Sequence, residues 1–127
     1  RSTFDWNKAK KRHDTGSVEQ RIFSSLKKLI ALRKETTAFA DLDNRQLIEL
    51  SNQNLILFVR VDPANSRNKV LVVANFNGAP QTLSLDELKS TGFVQPDGIK
   101  NLCTGARVEV YDEVLSVPPL TCLWLTD

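Results

Sequence analysis

Residues of the types that carry out catalysis are few in this sequence and lie far apart. The single histidine, His13, stands in a charged segment, and the chain contains no Gly-x-Ser-x-Gly motif whose serine it could activate. Phosphate-binding loops need closely spaced glycines at the start of a helix, whereas the five glycines here occur singly. The sequence therefore predicts neither nucleophilic catalysis by serine or cysteine nor a phosphate-binding loop.

Carboxylate pairs are the remaining candidates for acid–base chemistry. The pairs are Asp41 with Asp43, Asp86 with Glu87, and Asp112 with Glu113. A glycosidase pair must flank a bound sugar, with one carboxyl kept protonated by apolar surroundings. All these pairs fall in polar segments that are typical of turns, where caps and solvation explain them. We therefore predict no catalytic, substrate-binding or metal-binding residue in this chain.

The two cysteines, Cys103 and Cys122, are too few for the disulfide framework of small secreted domains. They are also too few for a zinc site unless several other residues join them. Two reduced thiols, as in a cytosolic-type protein, are the favoured interpretation, and a single bridge between neighbouring strands is the alternative. This slightly favours a cytoplasmic location, which the sequence otherwise leaves open.

The composition is that of an ordinary globular domain of 127 residues, with 41% hydrophobic and 25% charged residues. Seventeen basic against 15 acidic residues give a net charge of +2, which predicts no nucleic-acid partner. No apolar run approaches the roughly 20 residues of a membrane span, so we predict no membrane partner. The chain has no methionine, even at its first position, and we expect it to be a piece of a longer protein.

Basic and aromatic side chains supply two further binding hypotheses. Residues 8–12 form a basic cluster that could contact phosphates or an acidic partner, although acidic neighbours favour a solvated helix face. Trp6, Tyr111 and Trp124 could stack on sugar rings through their flat apolar surfaces. Trp124 lies between two leucines near the C-terminus, which favours burial, while Trp6 and Tyr111 remain open candidates.

The elements that position these residues are indicated by a change of hydrophobic period about a third of the way along the chain. Ser17 and Gln20 have the spacing of a capping box, and apolar residues then recur every three or four positions up to Ile30. This pattern predicts a helix over residues 17–34. A second, short helix is predicted over residues 5–13.

Short segments rich in β-branched and aliphatic residues, separated by turn formers, predict six to eight antiparallel strands in the rest of the chain. The predicted strands are residues 46–50, 54–61, 69–76, 81–85, 100–103, 107–110, 114–117 and 120–125, with one helical turn over 86–89. Residues 70–76 and 120–125 are apolar on both faces, so their strands should lie inside a sheet. The predicted fold is mainly β: an antiparallel β-sandwich over residues 41–127, preceded by a helical segment over residues 1–40.

Several of these segments share sequence features with one enzyme family. Residues 29–34, followed by Ala38 and Phe39, resemble the last helix of the catalytic barrel in the α-amylase superfamily, glycoside hydrolase family 13. Residues 70–77 resemble a strand of that family's C-terminal β domain, and residues 117–125 resemble its closing strand. Residues 4–9, 57–60 and 81–85 are similar to the family in their expected places. Within the superfamily, the chain is most similar to amylosucrases and related sucrose-acting enzymes.

The resemblance implies a C-terminal domain without catalytic residues, because the family's catalytic residues lie on barrel strands upstream of Arg1. Its partners would be the catalytic barrel of the same parent chain and, through the parent, sucrose or an α-glucan. The implied parent reaction is retaining glycoside hydrolysis or glucosyl transfer through a covalent glucosyl intermediate, with no organic cofactor. The domain itself would stabilise the barrel by covering its apolar surface.

Two other functions remain open. An α-glucan-binding β-sandwich module would use an exposed Trp or Tyr, and a helix-plus-sandwich protein-interaction adaptor would use the basic residues 8–12. In each case the long helix is expected to bury Ile22, Leu26 and Leu29 against the sandwich or another chain, since leaving them in water costs on the order of several kcal/mol. A homodimer formed through this helix face is one way to cover it.

Overall fold

The computed structural model describes residues 3–93 and 98–127 and divides into two compact units, Arg1–Glu35 and Thr36–Asp127. The division at residue 40 that the sequence suggests stays a prediction. The helices are α1 (Trp6–Lys10), α2 (Val18–Glu35) and α3 (Leu85–Ser90), with 3-10 turns at Lys11–His13 and Thr37–Phe39. The strands are β1 (Arg45–Ile48), β2 (Leu55–Asp62), β3 (Asn65–Asn75), β4 (Gln81–Ser84), β5 (Lys100–Asn101), β6 (Val110–Tyr111), β7 (Val114–Val117) and β8 (Cys122–Thr126).

The first unit consists of the two predicted helices, but the capping box predicted for α2 is only half formed. The Ser17 hydroxyl accepts a hydrogen bond from the Gln20 backbone N–H at 3.0 Å, as a capping serine should. The Gln20 side chain does not reach back, and its Nε2 instead donates to the Ser24 hydroxyl at 3.2 Å. The reason is that the Ser17 N–H already donates to the Asp14 carbonyl in the preceding turn.

The second unit contains the two antiparallel sheets of the predicted β-sandwich, which is therefore confirmed. The larger sheet has the order β1-β2-β3-β8-β5, and the smaller has the order β4-β7-β6. Strands β3 and β8 each have a neighbour on both sides. This agrees with the prediction that the segments apolar on both faces lie inside a sheet.

Leucines from both sheets fill the space between them. Leu57, Leu71 and Leu125 of the larger sheet belong to the same buried cluster as Leu83 and Leu115 of the smaller sheet. All five side chains have no exposed surface. Because residues alternate between the two faces of a strand, the position after each of these leucines points away from the core.

Several predicted strands differ from the observed ones at their ends. The strand predicted over 69–76 begins four residues earlier, at Asn65, and ends at Asn75. The strand predicted to run to Cys103 ends at Asn101, because the Asn101 Oδ1 accepts from the Cys103 N–H at 3.0 Å and starts a turn. The strand predicted over 107–110 is reduced to Val110–Tyr111, and Arg107 forms only an isolated bridge.

Helix α3 is also longer than the helical turn predicted over 86–89. It begins at Leu85, the residue predicted to end the preceding strand, and extends to Ser90. Ser84 and Glu87 form a complete capping box, which ends β4 and starts the helix one residue earlier than predicted.

Candidate functional site

The outer face of the five-stranded sheet, which points away from the sandwich core, is apolar. Its central row consists of Leu47 on β1, Phe58 on β2, Val72 on β3 and Trp124 on β8. The strand register places each of these side chains opposite the next, so the row runs without interruption across four strands. We call this surface, from Leu47 to Trp124 and including Ile56, the outer face.

The 3-10 turn Thr37–Phe39 covers part of the outer face. The Phe39 ring lies 4.8 Å from the Trp124 ring between centroids, and the Arg60 guanidinium stands 5.6 Å from the Phe39 centroid. Ala38 and Phe39 are buried, and they pack against Val72. Trp124 is consequently half-buried, which agrees with the burial favoured from the sequence, although the burial is incomplete.

The rest of the outer face is open. Leu47 is 71% exposed and Ile56 is 46% exposed. Together with Arg45 and Phe58 they line an open cavity of about 450 Å³. An apolar row of this kind on a folded unit is typical of a surface that another macromolecule covers.

The long helix α2 carries a second apolar surface. Val18, Ile22, Leu26 and Ile30 follow one another along one side of the helix, and each is 54–56% exposed. No residue of α2 is buried within its own unit, and the burial of Ile22, Leu26 and Leu29 against the sandwich or another chain stays a prediction. An amphipathic helix of 18 residues gains most of its stability in proteins from packing of its apolar side.

Tyr111 lies at the β6–β7 hairpin, at the mouth of a pocket. Asp112 and Glu113 form the two-residue turn with φ angles of 48° and 62°, the left-handed geometry of a type I′ hairpin. Tyr111 is 68% exposed, and its hydroxyl donates to the Glu109 Oε2 at 2.7 Å. This hydrogen bond and the negative charge of Glu109 raise the pKa of Tyr111 above its ordinary value near 10.0.

The structure does not bring the carboxylate pairs together into an acid–base site. The Asp41 Oδ1 accepts from the Asp43 N–H at 2.8 Å and closes its own turn. Asp86 lies 3.8 Å from the Lys89 ammonium in α3, while Glu87 caps that helix. The role of these groups is local, as the sequence suggests.

The remaining chemical candidates are likewise separate. The Nε2 of His13 accepts from the Arg12 Nε at 3.1 Å in an exposed segment. Cys103 and Cys122 are present as thiols, and burial is the main cause that raises the pKa of Cys122. Within residues 3–93 and 98–127, no group of three His, Cys, Asp or Glu side chains could hold a metal ion. That the chain has no catalytic residue stays a prediction.

Among the residues that the structure describes, no helix combines the length and the apolar character needed to cross a membrane.

Asn75 is a structural residue whose role the sequence reasoning missed. Its side chain is 2% exposed, and its Nδ2 donates to the carbonyls of Ala79, Val117 and Pro118 at 2.9–3.1 Å. Its Oδ1 accepts from the Asn77 N–H at 2.8 Å. The available signal was a polar residue directly after the apolar run of β3, inside the segment that resembles the α-amylase family.

The sequence matches no protein-family model and no curated protein. Among solved structures, it is similar to the pullulanase from Anoxybacillus sp. LM18-11 complexed with maltotriose, with 20% identity and a TM-score of 0.57 over 95% of this chain. It is also similar to the trehalulose synthase MutB from Pseudomonas mesoacidophila MX-45, with 21% identity and a TM-score of 0.49 over 78% of this chain. The chain spans only 16% and 17% of the length of these two proteins.

The likeness to pullulanase, an enzyme of the α-amylase family, confirms the predicted resemblance at the level of the fold. The helical segment and the β-sandwich together match one part of a much larger enzyme chain.

Proposed function

We propose that this chain is a non-catalytic domain of an α-amylase-family enzyme, in which it covers and stabilises the catalytic barrel of the same polypeptide. The observation that carries the proposal is the apolar side of α2, because none of its residues is buried. In an α/β barrel, the outer helices pack their apolar sides on the strands of the barrel. A helix that resembles the last barrel helix has the apolar side that such packing requires.

The free energy available from covering α2 is large enough to matter for the parent enzyme. Full burial of a Val, Leu or Ile side chain contributes about 1.5–3 kcal/mol. Val18, Ile22, Leu26 and Ile30 are each a little more than half exposed, so covering each would contribute about 1 kcal/mol. The sum, about 4 kcal/mol, is comparable with the whole stability of a marginal domain.

The finer part of the proposal is that the parent acts on sucrose or α-glucans in the manner of amylosucrases, by retaining chemistry. The similarity of residues 117–125 to the closing strand of that group supports this assignment. The pullulanase with the same fold was crystallised with maltotriose, an α-glucan. The nucleophile and the acid/base of such a parent would lie on its barrel and not in this chain.

The first experiment is to determine the length of the native polypeptide by mass spectrometry of the protein from its source. The proposal requires a barrel of at least about 200 residues upstream of this segment. A native chain of about the length of this one would refute it.

The second experiment tests the packing of α2 in the full-length enzyme. We expect the double variant Ile22→Ser/Leu26→Ser to lower the melting temperature by several degrees while kcat at low temperature is unchanged. Ala31→Ser is the matched control, because Ala31 is exposed on the polar side of the same helix and carries a similar loss of helix propensity. Equal stability of the double variant and the control would contradict the proposed packing. Dimers of the 127-residue chain that the double variant abolishes would instead support a second copy as the cover.

A further inference from the structure

We propose that the pocket beside Tyr111 is a binding site for a neutral saccharide, with the Tyr111 ring as the surface on which a sugar ring stacks. The pocket lies beside the β6–β7 hairpin, is lined also by Asn101 of β5 and Leu123 of β8, and does not include the outer face. Its binding role is independent of the packing of α2. Only the choice of an α-glucan as the saccharide rests on the proposed function.

The size and the lining of the pocket fit a small ring. Its volume of about 350 Å³ lies at the lower end of the range for ligand sites. Leu123 and Val108 are among its apolar lining residues, and Ser116 contributes a hydroxyl group. A pyranose has the same mixed character, because its C–H groups are apolar and its hydroxyls form hydrogen bonds.

The two charges that line the pocket balance each other. Arg107 and Glu109 are the two charged side chains among the described residues that line it, so the site has no net charge. An ion of either sign would be attracted by one of these side chains and repelled by the other, so the pair gives no preference for an anion or a cation. A sugar hydroxyl both donates and accepts, so it can donate to the carboxylate and accept from the guanidinium at the same time.

The Tyr111 ring is exposed and held in place. Its 68% exposure leaves a ring face free for a ligand, and the 2.7 Å hydrogen bond to Glu109 restricts its rotation. The hairpin turn at Asp112 and Glu113 fixes the backbone from which the ring projects. A ring ordered before binding loses less conformational entropy when the ligand stacks on it.

The test is an NMR titration of the 127-residue chain with maltotriose, sucrose and cellobiose. We expect at least one of them to shift the backbone amide signals of Arg107, Glu109, Tyr111 and Ser116, with a Kd on the order of 1–10 mM for so open a site. Tyr111→Ala should weaken binding at least tenfold, because the ring on which the sugar stacks is removed while the fold is kept. Tyr111→Phe, which keeps the ring, should change the Kd by less than about threefold.

Trp6→Ala is the control, because Trp6 is equally exposed but lies outside the pocket, and it should leave the Kd unchanged. No response to any of the three saccharides at tens of millimolar would overturn the inference. So would binding that survives Tyr111→Ala, or an equal response to the anion glucuronate. None of these results bears on the stability test of α2, so the two proposals can fail separately.

Discussion

Replacing Asn75 should destabilise the sandwich more than a substitution of similar size on its surface. The Asn75 amide, on the last residue of β3, donates to three carbonyls, two of which belong to Val117 and Pro118 at the end of β7. Asn75→Ala removes the two N–H groups that the three carbonyls share, and the bond lost to the Val117 carbonyl is buried. At about 1 kcal/mol for each N–H group, the free energy of unfolding should fall by about 2 kcal/mol. For a domain of this size, the melting temperature should fall by about 10 °C.

Asn75→Asp is the sharper variant, because it keeps the shape and changes only the donor. An ionised carboxylate would face the carbonyl oxygens, whereas a protonated carboxyl could donate to one of them, so the folded state should raise the pKa of the introduced group. A raised pKa means that the loss of stability is complete near pH 7 and shrinks as the pH falls through the folded-state pKa. Urea unfolding followed by circular dichroism should therefore show the variant gaining stability between about pH 7 and pH 5 relative to the wild type.

Gln53→Ala is the control for both variants, because the Gln53 side chain is exposed in the same unit and its replacement should cost no more than about 0.5 kcal/mol. An Asn75→Ala chain within that range of the wild type would show that the amide bonds do not hold the sheets together. A pH profile of Asn75→Asp parallel to that of the wild type would refute the electrostatic part of the reasoning.

Three further predictions concern other parts of the chain. Hydrogen bonds to the Asp62 carboxylate, first of all from the Thr37 side chain, lower the pKa of Asp62. The stabilisation from these bonds is present above the ordinary pKa of 3.8 and is lost as the pH falls through the lower folded-state pKa. Asp62→Asn should therefore flatten the acid side of the plot of unfolding free energy against pH. Ile22→Ser/Leu26→Ser in the 127-residue chain alone should change the unfolding of the sandwich by less than about 0.5 kcal/mol, because both side chains are more than half exposed, and a larger loss in urea would contradict this. Thiol titration of the denatured, unreduced chain should count both Cys103 and Cys122, and a count of zero would establish a disulfide between them.

Periodicity in the sequence was sufficient to predict the elements of the fold. The helix predicted over residues 17–34 is Val18–Glu35, and the two strands predicted to be internal are internal. Helices and strands depend on residues that are close together in the sequence, so an apolar repeat of 3.6 or 2 residues identifies them directly. The errors include Ser17, whose N–H donates to a backbone carbonyl instead of the expected Gln20 side chain, and Asn101, whose own side chain ends a strand.

The candidate sites were less accessible to sequence reasoning because their members come from distant segments. Tyr111 was named as a residue that could stack on sugar rings, but Ser116 is placed beside it only by the hairpin pairing of β6 and β7. The outer face could not be predicted from the sequence for the same reason. A strand that is apolar on both faces indicates two covered surfaces, yet only the sheet order shows which strands share the second one.

The two sheets of the sandwich differ in the polarity of their outward sides. The outward side of the smaller sheet is mixed: Thr82 on β4 lies directly opposite Ser116 on β7, and Val114 and Tyr111 lie on the same side. The corresponding row of the larger sheet, from Leu47 to Trp124, is apolar. The proposed contact with a catalytic barrel is therefore expected on the larger sheet. The pocket at Tyr111 includes no residue of the outer face, so the two proposed surfaces do not compete.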